Sequence, residues 1–288
     1  MHKTYLINNT KYLNPSEHYM SPIYYPNFQE KFEEFKEKLL FESKNKLNTT
    51  YYKFGDGDYY LISNKKVGTS KPGLRDLKKN VDLKKNNKFF NEIISGSQEC
   101  DNYLCEIKFF DLFQAVMNEK KIDFPAEYSY GIISSKWVFE NFEKIALIGS
   151  SKKLKIIKQL MEFREYQNFL GIERFEDYIE IPQVYALSKH KSVYRNIKSK
   201  IENSKADIFL IGIGLVQNPL LHKLKKHSKA PLLSVGVGID AIAGVVDIRR
   251  PYFGNWKNYQ LKNKKIYLDI LDPVIKTTLS SETIKYLD

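Results

Sequence analysis

The chain has 288 residues, 42% of them hydrophobic and 28% charged, with a formal net charge of +12 and a pI near 9.3. That length allows a substantial core and is somewhat long for one compact domain, so one main domain with appendages is expected. The longest apolar stretch, Ala230 to Val246, holds Pro231, several glycines and Asp240, which suits a buried strand feeding a helix and excludes a bilayer span of about 18 apolar residues.

The N-terminal "MHKTYLINNTKYLN" has neither the apolar core nor the cleavage site of a secretory signal, so a cytoplasmic protein is expected. Cys100 and Cys105 are too few for a disulfide framework or a zinc site and read as reduced thiols. Most of the basic residues are lysines spread over helices and loops, the pattern of a solvated surface with no dedicated nucleic-acid site. Such a surface suits peripheral association with an anionic membrane. Arginine is scarce, and because guanidinium is the group suited to bidentate phosphate contact, Arg249 and Arg250 stand out.

Along the chain, residues 1–28 read as an irregular lead-in. In "FQEKFEEFKEKLLFESKNK", Phe28, Phe32, Phe35, Leu39 and Leu40 recur at helical spacing and predict an amphipathic helix. "YYKF" predicts a short strand ending at Gly55. Residues 65–87 are lysine-dominated with Gly68, Pro72 and Gly73 as breakers, and predict a loop and a short helix. Helical patterns follow in "NKFFNEIIS" and "YLCEIKFFDLFQAVMNEK".

The second half alternates apolar runs with helix formers. "KIALIGSS" leads into "KKLKIIKQLMEF", and "YIEIPQ" into "VYRNIKSKIENS". "ADIFLIGIG" leads into "NPLLHKLKKHS", where Asn218 and Pro219 read as N-cap and first helical position, and "APLLSVGVGIDAIAGVV" adds a fourth strand and turn. This alternation predicts an α/β fold, a Rossmann-like, mostly parallel sheet with helices on both faces, after an N-terminal helical lead-in. Its domains are expected at 1–48 (lead-in and helix), 49–248 (catalytic domain) and 249–288 (a C-terminal aromatic and basic extension packing on the domain). Ligands of such sheets bind outside the carboxyl ends of the strands.

Several strand ends carry chemistry. "FGDGD" places Asp56 and Asp58 one residue apart between Gly55 and Gly57; it reads either as a hairpin turn or as a corner offering two hard oxygen ligands to Mg²⁺ or Mn²⁺. Gly149, Ser150, Ser151 and Lys152 lead from a strand into a helix, a place for a phosphate or simply a tightly packed turn. Gly212 and Gly214 lack the third glycine of a dinucleotide fingerprint, yet they allow close backbone approach to a nucleotide. In "SVGVGID", Gly238 precedes Asp240, which either caps the next helix or contacts a ligand hydroxyl. "DIRRPYFGNWKNY" sets Arg249 among aromatics that suit a sugar or phosphate, or the packing of a C-terminal segment. No His-x-x-x-His pair or Gly-x-Ser-x-Gly elbow is present.

"KFGDGDYYLI" resembles the strand-turn bearing the Asp-x-Glu motif of GT-D fold glycosyltransferases, and "WVFENFEKIALIGSSKKL", "IEIPQVYALSKHKSVYRNI", "KADIFLIGIG" and "LLSVGVGIDAI" are similar to later segments of that family, in order, over about residues 50 to 245. Asp58 stands where the family usually has glutamate. The resemblance implies a metal-dependent hexosyltransferase that uses a nucleotide-sugar donor, a UDP-sugar above all, and a glycan or lipid-linked acceptor in polysaccharide assembly. It implies Mn²⁺ or Mg²⁺ on Asp56 and Asp58, donor contacts from Phe54, Gly55, Gly57, Gly149, Ser150, Ser151, Lys152, Gly212, Gly214, Gly238 and Arg249, and a hydroxyl contact or general base in Asp240. The alternatives are a basic nucleic-acid-binding protein and a Rossmann-like enzyme that uses a nucleotide without metal.

Overall fold

Strands whose residues are apolar at every position must be covered on both sides, and the chain contains several. The computed structural model describes residues 5–7, 10–12, 27–62, 87–106, 109–117, 119–245, 259–263 and 285–287. Its centre is a seven-stranded sheet made of β3 (Thr50–Phe54), β4 (Asn102–Cys105), β5 (Phe124–Pro125), β6 (Ile145–Ser150), β7 (Asp177–Ile181), β8 (Ile208–Gly212) and β9 (Leu232–Ser234), following β1 (Tyr5–Ile7) and β2 (Thr10–Tyr12). The order is β5-β4-β3-β9-β8-β6-β7, and every pairing in it is parallel.

Two apolar layers follow from the two-residue period of the strands. Tyr51, Leu104, Ile145, Leu147, Ile208, Leu210 and Leu233 point into one layer. Tyr52, Phe54, Cys105, Ala146, Ile148, Phe209, Ile211 and Leu232 point into the other. The first layer is closed by α1 (Phe28–Lys44), α5 (Ala126–Ser134), α6 (Trp137–Asn141), α7 (Ser151–Leu160), α8 (Arg164–Leu170) and α11 (Gly238–Ile242). The second is closed by α4 (Phe110–Val116), α9 (His190–Asn203) and α10 (Gln217–Lys225). The remaining helices are α2 (Asp56–Ile62) and α3 (Asn87–Gln98). The α/β class with helices on both faces is as expected, and the stripe of α1 is core, with Phe32, Phe35 and Leu39 fully buried.

Four expectations change. The lead-in contains a small antiparallel pair, β1 with β2, in the register Tyr5 opposite Tyr12. "YLCEIKFF" does not start a helix: Tyr103, Leu104 and Cys105 form β4, an apolar run too short for its period to tell strand from helix. The chain at Gly55 does not turn back into a hairpin but enters α2, because β3 pairs only with parallel neighbours. Asn218 is not an N-cap, since α10 begins at Gln217 after a 3-10 turn at Gly214–Val216.

Both cysteines are buried free thiols. Beyond the sheet, β10 (Tyr259–Leu261) pairs in parallel with β11 (Lys285–Leu287), and Tyr259 packs against Tyr166 and Phe169 at centroid distances of 5.7 and 4.9 Å. Arg249, Arg250, Tyr252, Phe253 and Trp256, and the stretch 65–86, lie outside the described residues. Among the described residues no helix is long and apolar enough to cross a membrane.

The strand order reverses between β6 and β8, whose following helices leave in opposite directions, and Gly149 and Gly212 face each other there in register. In many doubly wound sheets such a crevice takes a ligand. Here Ile239 of α11 occupies it: a Cβ on Gly212 would lie 2.5 Å from the Ile239 side chain, and one on Gly149 3.4 Å from it. Ile239→Ala is therefore expected to lower stability by about 2–5 kcal/mol, the usual cost of such a core truncation, measured by urea unfolding. A loss below about 0.5 kcal/mol would mean that the crevice is not packed shut.

Candidate active site at the carboxyl edge of the sheet

β3 is the strand on which the site is built. It lies between β4 and β9, so its carboxyl end is flanked by the ends of both. Its one charged residue, Lys53, is opposite Leu104 of β4 and points to the same face. Glu106, two residues past Leu104, also points there. A lysine too far inside the sheet to reach water sideways can extend forward to that carboxylate. The ammonium Nζ lies 3.3 Å from Glu106 Oε1, and both side chains are nearly buried. Tyr130 of α5 donates its hydroxyl to the same oxygen at 3.1 Å, and its ring centroid is 5.4 Å from Nζ.

Two glycines leave room for this arrangement. A Cβ on Gly55 would lie 2.7 Å from Lys53 Nζ and 3.0 Å from Glu106 Oε1. A Cβ on Gly236, at φ +49°, would lie 2.8 Å from Lys53 Cε. Burial disfavours the ammonium, but Tyr130, Glu106 and Asp56 together outweigh it and hold the lysine above its ordinary range. Gln217 donates to the Lys53 carbonyl at 2.8 Å and accepts from Ser234 at 2.5 Å, which pins the end of β3 to that of β9.

The two aspartates part company at the first turn of α2. Asp56 is the first helical residue and is half-exposed at the edge, as is Gly57 after it. Asp58 is the third, and its carboxylate reaches back to accept from the Gly55 N–H at 2.9 Å, as the third residue of a capping box does. Its other oxygen accepts from the Tyr52 hydroxyl and from Asn218 Nδ2 at 2.8 Å. Only 2% of Asp58 is exposed. Asp58 thus faces the core, and Phe54 packs there too, against Phe113 at 5.5 Å. Asp56 and Asp58 thus do not face the same way: Asp58 accepts from three protein donors inside, and the cation beside Asp56 is Lys53. Among the described residues no three His, Cys, Asp or Glu side chains converge as a metal site.

The remaining expected residues gather elsewhere. Gly149, Ser150, Ser151 and Lys152 surround the N-terminus of α7, where the Ser150 hydroxyl is buried with no hydrogen-bond partner. Three strand spacings, about 14 Å, separate this turn from β3. One diphosphate cannot touch both. Asp240 does not cap α11, whose N-cap is Val237, but pairs with Lys153 in the first turn of α7. Gly212 and Gly238 make room for apolar side chains, Ile239 and Ile133 respectively, and Gly214 is an exposed left-handed turn at φ +59°.

Comparison with protein-family models, curated proteins and solved structures finds no match. The functional reading therefore rests on the chemistry of the edge itself. Lys53, Glu106 and Tyr130 were not among the residues singled out from sequence, although a lysine inside an otherwise aromatic strand is itself a signal, because a buried charge requires a partner.

Burial raises the Asp58 carboxyl above the ordinary carboxylate value and outweighs the bonds it accepts. The folded state therefore holds that proton more tightly than the unfolded one. The stability that Asp58 contributes is greatest at low pH and falls as pH rises from about 4 through the folded value. Asp58→Asn is expected to destabilise the protein at low pH, and the difference from wild type is expected to shrink as pH rises, in chemical unfolding at a series of pH values. A difference that widens with pH would show that the carboxylate is held ionised.

Proposed function

We propose that this chain is a glycosyltransferase that binds a nucleotide-activated sugar at the carboxyl edge of its parallel sheet and transfers the sugar to a glycan or lipid-linked acceptor. The observation that carries the reading is the placement of "FGD" at the end of β3, with Asp56 half-exposed over a fixed ammonium at the edge where α/β sheets take their ligands. A carboxylate and a cation side by side match a ligand with hydroxyls at one end and phosphates at the other.

In this reading the acceptor hydroxyl oxygen bonds to the anomeric carbon while the bond from that carbon to the phosphate oxygen breaks. The nucleoside diphosphate leaves with the electron pair, and the acceptor proton passes to Asp56. Lys53 faces the charge that develops on the leaving group, the kind of preorganised stabilisation that dominates such steps. The N-terminus of α7, with the Ser150 hydroxyl, offers donors to a distant part of an extended ligand. Gly212 and Gly238 have packing roles, and Asp240, paired with Lys153, has no part in the transfer.

Thermal unfolding with UDP, GDP, CMP and dTDP species and their sugars is expected to show stabilisation by one nucleotide class. Asp56→Asn is expected to leave the melting temperature unchanged and to lower release of nucleotide from the matching donor by about 100-fold or more, the usual effect of losing a positioned base. Full turnover in Asp56→Asn, or no stabilisation by any nucleotide, would sink the reading.

A second reading is favoured by a separate feature. A surface cavity of about 410 Å³ between α9 and α10 is lined by His190, Lys191, Tyr194, Arg195, Leu220 and Lys223. His190 and Lys223 face Glu92, and Lys191 and Arg195 suit a polyanion such as a nucleic-acid strand. Binding of single-stranded oligonucleotides that falls steeply with salt and is weakened by Lys191→Ala/Arg195→Ala would support it; salt-independent or absent binding would remove it.

A further inference from the structure

We infer that the fixed positive charge of this site is the Lys53 ammonium, and that the diphosphate of the ligand is bound there without a divalent metal ion. The inference rests on the proposed function, in that it takes the edge of β3 to be the place where a nucleotide-activated ligand binds.

Two observations converge. Asp58, expected as the second metal ligand, has its oxygens committed to Gly55 N–H, Tyr52 and Asn218 inside the protein. Asp56 is thereby the one carboxylate that "FGDGD" presents to the edge. The nearest carboxylate on the neighbouring strand, Glu106, is engaged by Lys53 and Tyr130. A divalent ion held between Asp56 and Glu106 would have to sit against the ammonium, where like-charge repulsion opposes it.

The chain also invests in that ammonium. Gly55 and Gly236 both lack the side chains that would crowd it, and Gly236 does so in a left-handed conformation. Tyr130 holds the counter-charge in place, and the Lys53 carbonyl is tied down by Gln217. An ammonium has three donors, and Glu106 accepts from one of them. A phosphate oxygen would take another, so that the ligand shares the charge with Glu106. A lysine so placed does in the ground state what a metal ion does for a diphosphate: it offsets negative charge at a fixed point in a site of low dielectric constant.

The test is calorimetric titration of wild-type protein with UDP, GDP, CDP and dTDP, in EDTA and in Mn²⁺ or Mg²⁺, followed by two variants. The expected result is binding of one nucleotide that is undiminished in EDTA. It falls about tenfold or more in Lys53→Met/Glu106→Gln, a double change that removes both partners of the buried pair and so leaves neither charge unpaired. Glu106→Gln alone removes a counter-charge that helps keep Lys53 protonated, so its binding in EDTA is expected to weaken as pH rises above neutral while that of wild type stays level; a folded variant that binds as wild type does at every such pH would count against Lys53, even if the double variant does not fold. Binding that appears only with metal overturns this inference and leaves the transferase reading standing. Binding in EDTA that the folded double variant retains in full overturns the assignment to Lys53. If folded wild-type protein binds no nucleotide in either condition, the transferase reading fails and this inference with it.

Discussion

A parallel sheet covered on both faces has no sideways exit for a charge, and that constraint orders the site. Along β6, β8 and β9 nearly every residue is apolar, since each side chain lands in one of two closed layers. A charged residue in such a strand must either reach the strand's end or meet a partner inside. Lys53 does both: its side chain runs along the first layer to the carboxyl edge and meets Glu106 there. The pair positions Tyr130 and requires glycine at 55 and 236. One ion pair therefore links β3, β4, β9 and α5 at the point where a ligand of this fold class would sit.

The two aspartates of "FGDGD" illustrate how helix geometry divides like residues. Because a strand that pairs only in parallel must leave the sheet edge through a crossover, the chain enters a helix directly after Gly55. The first and third positions of a helix differ by about 200° around its axis. Asp56 consequently faces the edge, and Asp58 faces Gly55 N–H and the Tyr52–Asn218 pair beneath it. Asp58 closes the turn, and this closure holds Asp56 in place.

The sheet was legible in the sequence wherever an apolar run was followed by a small residue and then by helix formers, as at Ile145–Ser150 and Ile208–Gly212. It was not legible at Tyr103–Cys105, where three residues carry no period of their own and the helical run beyond them dominates the pattern. At the end of β3, the sequence left a hairpin and a two-carboxylate corner open, and the structure has a helix that turns Asp58 away from Asp56. Adjacent carboxylates suggest a shared ligand only if they point the same way, and that depends on whether a hairpin or a helix follows. Glu106 was invisible for a different reason: its partner is 53 residues away, and only strand pairing brings the two together. The glycines at 149 and 212 were read as room for a ligand, but an isoleucine from a later helix can fill the same space.

That filling has a consequence for where chemistry can happen. With Ile239 seated over Gly149 and Gly212, the strand-order reversal between β6 and β8 is closed, and Asp240 beside it is drawn to Lys153. At the carboxyl ends of β3 and β9, Gly236 is half-buried and the Lys53 ammonium sits just below it. The polar groups of the carboxyl edge therefore lie two strands away from the reversal. A carboxylate and a cation can coexist there without cancelling, because each is held by a different element: Asp56 by the first turn of α2, Lys53 by its strand and by Glu106. In the proposed function, a ligand carrying both hydroxyls and phosphate meets the two groups at one edge of the sheet.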